Sequence, residues 1–372
     1  MTERNPLRSV VRLVAVVTGS LIFLSSTPTV HAQSEAQGTI YSRFGLGERV
    51  GMTSSRSQAM GGGALATRSD RGTNFGNPAA LSDIFFTRFT VGFVRNNITE
   101  SADGFEDSNL ASGYLNAIQI SFPLLSYKIG VGLSSSPYTR VGYRVEEQGT
   151  FESDPGTGNM TPYSVTFHGN GGLQKVSTGI GYSPRTGFSI GASADLLWGI
   201  LEHVQSTGFL NPAFDDGIVV ESTRLSGITG TFGIWYRQTG FLTTAKSFSG
   251  GATLTLPTSL KGTRVFSSGR AGTADTLATI KVSAVQLPLS ATLAVAYQAN
   301  ARMTFALDFL YEGWGNVTSD VAFPGLNDDG EYTDRYRFSA GVEYGGGSVS
   351  DAFTRRVLIR FGLYLDNSYV SP

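Results

Sequence analysis

The chain has no cysteine, which excludes disulfides, thiolate metal sites and a lipid anchor on an N-terminal cysteine. Histidine is nearly as scarce, with three in 372 residues. Neither His168 nor His203 stands at metal-ligand spacing from a second His, Asp or Glu. No apolar run reaches the ~20 residues that a spanning helix needs; the longest, Leu13 to Leu24, has 12. Neither sign of charge dominates, at 28 basic against 29 acidic residues, so nucleic-acid binding finds no support. The Gly61-Gly62-Gly63 run lacks a following Lys-Ser/Thr and is no phosphate loop. No cofactor is expected.

What the chain does have is a repeating unit. From residue 84 onward, stretches of about ten residues alternate apolar with small or polar and are joined by turns and long loops in alternation, the pattern of a transmembrane β-barrel. In Thr333 to Gly345, Tyr336, Phe338, Ala340, Val342 and Tyr344 share one face, and Arg335, Arg337, Ser339, Gly341 and Glu343 the other. The stretches 188–199 and 303–314 behave alike. A soluble β-sandwich also alternates, but its strands usually last about 5–6 residues and these last longer. The 47 glycines fit a wall in which only one face of each strand needs to be apolar.

Strands are expected near 84–96, 111–123, 126–136, 172–183, 187–203, 218–238, 240–257, 277–297, 302–314, 333–344 and 354–367. The stretch 137–171 is a long loop in which Tyr138, Val141, Tyr143 and Val145 prolong the third strand. Eleven is an odd count for a bacterial barrel, and the chain finishes on Pro372 where such barrels end on an aromatic strand. The expectation is a barrel over 84–372 that is C-terminally incomplete, with 357–366 lacking a full antiparallel partner on its far side. Trp198, Phe309, Phe338 and Phe361 are expected on its outer face.

Ahead of the barrel, Arg4, Arg8 and Arg12, the apolar run, Pro28 and Val30-His31-Ala32 read as a signal peptide over residues 1–32. Its removal leaves 25 basic and 28 acidic residues. Residues 33–83 are rich in Gly, Ala, Ser and Arg without sustained alternation; a segment packed inside the barrel is the economical reading.

Arg56 to Ala66, with Gly61, Gly62 and Gly63, followed by Asn77-Pro78-Ala79, resembles the N-terminal hatch of the FadL family of outer-membrane transporters of long-chain fatty acids and other hydrophobic compounds. Leu287-Pro288-Leu289, Tyr41 to Gly47, Pro137-Tyr138 with Val141-Gly142-Tyr143, and Gly169-Asn170-Gly171-Gly172 add to it, the last three in the manner of the Bacteroidetes subgroup. The resemblance implies an all-β, antiparallel barrel of fourteen strands, about eleven of them present here, in the outer membrane of a Gram-negative bacterium. It also implies passive uptake of a hydrophobic small molecule with lateral release into outer-membrane lipid, by a monomer. Arg43, Arg56, Arg68, Arg71, Arg88, Lys128 and Arg360 are candidates to hold a carboxylate. The alternative is that they pair with Asp70, Asp195, Asp308, Glu312, Glu343 and Asp366 in a polar lumen. Phe44, Leu46 and Phe75 are candidates for an apolar pocket at the hatch. Catalysis is not expected, because the only serine near His168 is the loop residue Ser164. A second class of function stays open: some FadL relatives are scaffolds that bind or shuttle secreted proteins. An apolar continuous lumen favours transport, and a plugged polar lumen with large ordered external loops favours the scaffold.

Overall fold

The computed structural model describes residues 39–51, 54–68, 72–100, 108–153, 158–241, 246–270, 273–319, 331–346 and 353–371. The signal-peptide assignment, Asp70 and Arg71 lie outside the described residues. After a two-residue strand, β1 (Glu48–Arg49), come β2 (Arg88–Glu100), β3 (Ser108–Leu125), β4 (Ile129–Pro137), β5 (Thr139–Glu152) and β6 (Met160–Arg185). β7 (Phe188–Phe209), β8 (Gly217–Thr239), β9 (Ser247–Thr255), β10 (Thr258–Arg270), β11 (Thr273–Leu287) and β12 (Ser290–Asn300) follow. The series closes with β13 (Met303–Glu312), β14 (Glu331–Tyr332), β15 (Arg335–Gly345), β16 (Leu358–Asp366) and β17 (Val370–Ser371).

Eleven of these make a continuous antiparallel wall in the order β16-β15-β13-β12-β9-β8-β7-β6-β4-β3-β2. No ladder joins β2 to β16 among the described residues. Period-two alternation sets the register. Phe338 and Phe361 are strongly exposed on the outer face, Trp198 is 40% exposed, and Phe309 packs on Phe338 at 4.7 Å between ring centroids. Phe89, Phe93, Ile228, Phe232, Leu293 and Leu307 extend the same apolar belt. An uninterrupted band of this size is unfavourable in water and suits hydrocarbon.

Three expectations about the strands need correction, and a proline marks each. Residues 277–297 form two strands, β11 and β12, because Pro288 has no N–H to give a ladder. The loop expected at 137–171 is the hairpin β5–β6, and 258–276 holds β10. Pro137, Pro257 and Pro288 each mark the point where a wall strand meets a strand of an extension of the same sheet. In that extension β5 pairs the far half of β6, β10 pairs the far half of β8, and β11 pairs β10. β6, β7 and β8 run through both wall and extension with 26, 22 and 23 residues, about twice the ~9–11 needed to cross a bilayer. The extension rises from the rim with the long connections, which is the external one when short turns are periplasmic. At its far end Phe151, Phe209 and Phe214 pack edge to face.

Candidate functional site

The lumen is built around the N-terminal segment, which descends from the external rim to the periplasmic one. β1 pairs Thr139 and Arg140 of β5 near the external rim. The lower end, the helical turn Pro78–Asp83, touches β4, β6, β7 and β8. Two rows of small residues in the wall make room for it. Gly130, Gly181, Gly191 and Gly233 are register partners across β4, β6, β7 and β8, and a Cβ on any of them would fall on Asn77 to Ser82. Asn77 Oδ1 accepts from Ala79 N at 3.0 Å, capping the turn, and its Nδ2 donates to Ile234 O at 3.0 Å. The second row is Ala296, Ala306, Gly341 and Gly362 on β12, β13, β15 and β16. Met60, Ala64 and Ala66 pack on its alanines, and Met60 and Gly61 lie on its glycines.

Polar groups lock the segment in place. Asp308 Oδ2 accepts from the N–H groups of Ala64 (3.2 Å) and Leu65 (2.9 Å). Arg49 Nη2 reaches Glu312 at 2.6 Å, Arg335 bridges Glu312 (3.1 Å) and Asp366 (2.6 Å), and Trp314 Nε1 donates to Glu312 at 2.9 Å. Glu312 is 2% exposed, and burial of this chain of charges is tolerable only because each carboxylate is paired.

Toward the external rim the lumen is closed by an apolar core. Leu46, Leu173, Leu197, Leu201, Leu225, Leu260 and Trp314 are buried there together, with Tyr143, Tyr369 and Val370 beside them. Tyr369 Oη accepts from Leu46 N and donates to Gly47 O, both at 2.8 Å. Beneath this cap lies a cavity of about 200 Å³ whose surface is about half polar and half apolar, Leu65, Phe75, Leu256 and Leu310 lining it beside hydroxyls and charges. Ser134, Ser177, Ser193, Thr231, Thr253 and Thr292 face it, as do Lys175, Asp195, Asp308, Glu312, Arg335 and Arg337.

The residues nominated from sequence do not meet at one point. Leu46 is fully buried in the cap, Phe44 packs against it, and Arg43 stacks over Phe167 at 5.1 Å. Phe75 lies on Gly132 at the edge of the polar cavity. Arg88 and Lys128 are near the periplasmic rim; Arg88 donates to Gly72 O, and the Lys128 backbone holds the β3–β4 turn. Gly61, Gly62 and Gly63 face β13, β15 and β16, while Asn77, Pro78 and Ala79 sit on the other glycine row. Arg56 and Arg360 both pair with Glu343, and Arg68 pairs with Asp83. Sequence reading passed over Arg49, Arg237 and Arg302. Arg335 and Arg337 were placed on the inward face, but their ion-pair roles went unread. Their spacing of two on that face was the available signal.

The fold is that of known outer-membrane channels. The Pseudomonas putida toluene transporter TodX superposes with a TM-score of 0.54 at 19% identity, over 86% of this chain and 85% of that one. The Ralstonia pickettii toluene transporter TbuX gives 0.53 at 15%, over 85% and 86%, and a Pseudomonas aeruginosa FadL homologue 0.55 at 12%, over 87% and 82%. No curated protein matches. The BamG family model matches residues 14–371. The chain belongs to the BamG family. This BamG-family chain thus has a FadL-type barrel fold, with an apolar belt on the outer face of its wall.

Proposed function

We propose that the protein is a non-conducting outer-membrane scaffold that presents its structured external sheet to a secreted or surface-bound protein. The observation that carries this reading is the closed external end of the lumen, where Leu46 on the N-terminal segment is fully buried among Leu173, Leu201 and Trp314. An apolar ligand would have to displace Leu46 and the side chains packed on it. In the cavity below it would strip water from hydroxyls and charges without replacing their hydrogen bonds, which is unfavourable. The extension is equally suited to a docking role: β5, β10 and β11 add ladders above the bilayer that transport does not need.

A second reading, passive uptake of a hydrophobic compound by lumen binding and lateral release, is favoured by the fold shared with the toluene channels. It requires the cap to open. The experiment that separates the two is native mass spectrometry of the purified full-length protein, with uptake of a fluorescent fatty acid and of toluene into proteoliposomes. The scaffold reading expects no retained hydrophobic ligand and uptake equal to protein-free vesicles. Saturable uptake that rises when Leu46 is replaced by alanine would overturn it in favour of transport.

A further inference from the structure

The charges of the lumen are unevenly distributed. In the central cavity Arg49, Lys175, Arg335 and Arg337 face Asp195, Asp308 and Glu312. At the periplasmic rim a separate cavity of about 130 Å³ is lined by Arg56, Arg68, Arg237 and Arg302 with, among the described residues, a single carboxylate, Glu343. That carboxylate is already shared by Arg56 and Arg360. Among the described residues Arg237 has only neutral partners, Ser247 Oγ at 3.1 Å and Gln298 Oε1 at 2.8 Å. Arg302 has no carboxylate partner among the described residues. Arg68 lies 3.5 Å over the Trp235 ring and pairs with Asp83, yet its buried Nε–H finds no acceptor among the described residues. Burial lowers the pKa of Arg68, Asp83 opposes this, and the nearby Arg237 charge adds to the lowering.

We propose that this rim cavity binds a phosphate-type oxyanion between Arg68, Arg237 and Arg302. Like charges held together at low dielectric repel unless a counter-charge lies between them, and guanidinium forks match oxyanions better than any other side chain does. The donors come from three places: the N-terminal segment, β8 and the β12–β13 turn. Such divergent donors suit a tetrahedral group whose oxygens point in different directions, whereas a planar carboxylate presents two. Phosphate of a lipid headgroup and free phosphate share this chemistry. The site is independent of whether the lumen conducts.

The test is titration of the purified full-length protein in a phosphate-free zwitterionic detergent with inorganic phosphate, followed by isothermal calorimetry. In parallel, native mass spectrometry would look for phospholipid carried from the membrane. Binding should weaken at least tenfold in Arg237→Gln/Arg302→Gln. Arg302→Glu alone, at an exposed turn position, should weaken it without disturbing the fold, which the heat-dependent gel shift of the barrel reports. Arg185→Gln, at the same rim but outside the cavity, should leave it unchanged. If phosphate fails to bind but wild type retains a phospholipid that the double variant loses, the oxyanion is a headgroup and the proposal stands. Three results would overturn it: no phosphate binding and no retained phospholipid, equal binding by wild type and a folded double variant, or acetate binding as tightly as phosphate.

Discussion

Asp308→Ala should free the N-terminal segment while leaving the wall's ladders intact. The carboxylate is the acceptor for two adjacent backbone donors, Ala64 N and Leu65 N. Ala64 is 4% exposed and Asp308 9%, so truncation strands the donors in a poorly hydrated place. At about 1–3 kcal/mol for each unsatisfied buried donor, the ceiling is about 6 kcal/mol. Two effects reduce it. Asp308 borders the polar cavity, so water can replace it toward the half-buried Leu65; and its Oδ1 has no partner among the described residues, so its removal returns some desolvation cost. A net of about 2 kcal/mol is expected, on the order of 30-fold more of the displaced state. Asp308→Asn, which still accepts both bonds without charge, should lose about half of that. Single-channel recording in planar bilayers reads the displaced state as open time, and limited trypsin digestion at Arg56 and Arg68 reads it independently. Wild-type open time together with wild-type trypsin resistance in Asp308→Ala would refute the latch.

Three further perturbations probe the seat, the buried charges and the cap. Gly191→Leu, which would place a side chain on Pro78 and Ala79, should expel the helical turn and expose Arg68 to trypsin, whereas the outward Ala192→Leu should not. Glu312→Gln leaves Arg49 and Arg335 buried without their shared counter-charge; a loss of about 3–5 kcal/mol should appear in the urea midpoint of the refolded barrel. Tyr369→Phe removes the hydroxyl between Leu46 N and Gly47 O and should cost about 1–2 kcal/mol, with faster hydrogen exchange at Leu46 and unchanged exchange in β13.

Period-two alternation was enough to read the wall, because in a barrel every strand carries its own inside and outside. It sufficed for the eleven-strand path and for the outward aromatics Trp198, Phe309, Phe338 and Phe361. It failed where a strand continues past the bilayer, since above the lipid the outer face no longer has to be apolar. There the prolines were the better markers: each of Pro137, Pro257 and Pro288 divides a wall strand from an extension strand. The lumen was harder to read for a different reason. The N-terminal segment is irregular backbone, and its position is set by what it leans against rather than by any periodicity of its own. The complementary signal lay in the wall. Pairing β6 with β7 through their short turn brings Gly181 opposite Gly191, and the β7–β8 register brings Gly191 opposite Gly233, a transverse row without Cβ atoms that only a close-packed backbone would require. The same register sets Ala306 beside Gly341 and Gly341 beside Gly362. Two such seats on different parts of the wall hold the segment at two points, and the Arg49–Glu312 and Tyr369–Leu46 contacts fasten it above them. A lumen whose every level is tied to the same strap opens only when the strap as a whole is displaced, and that cooperativity is what separates a structural plug from a gate.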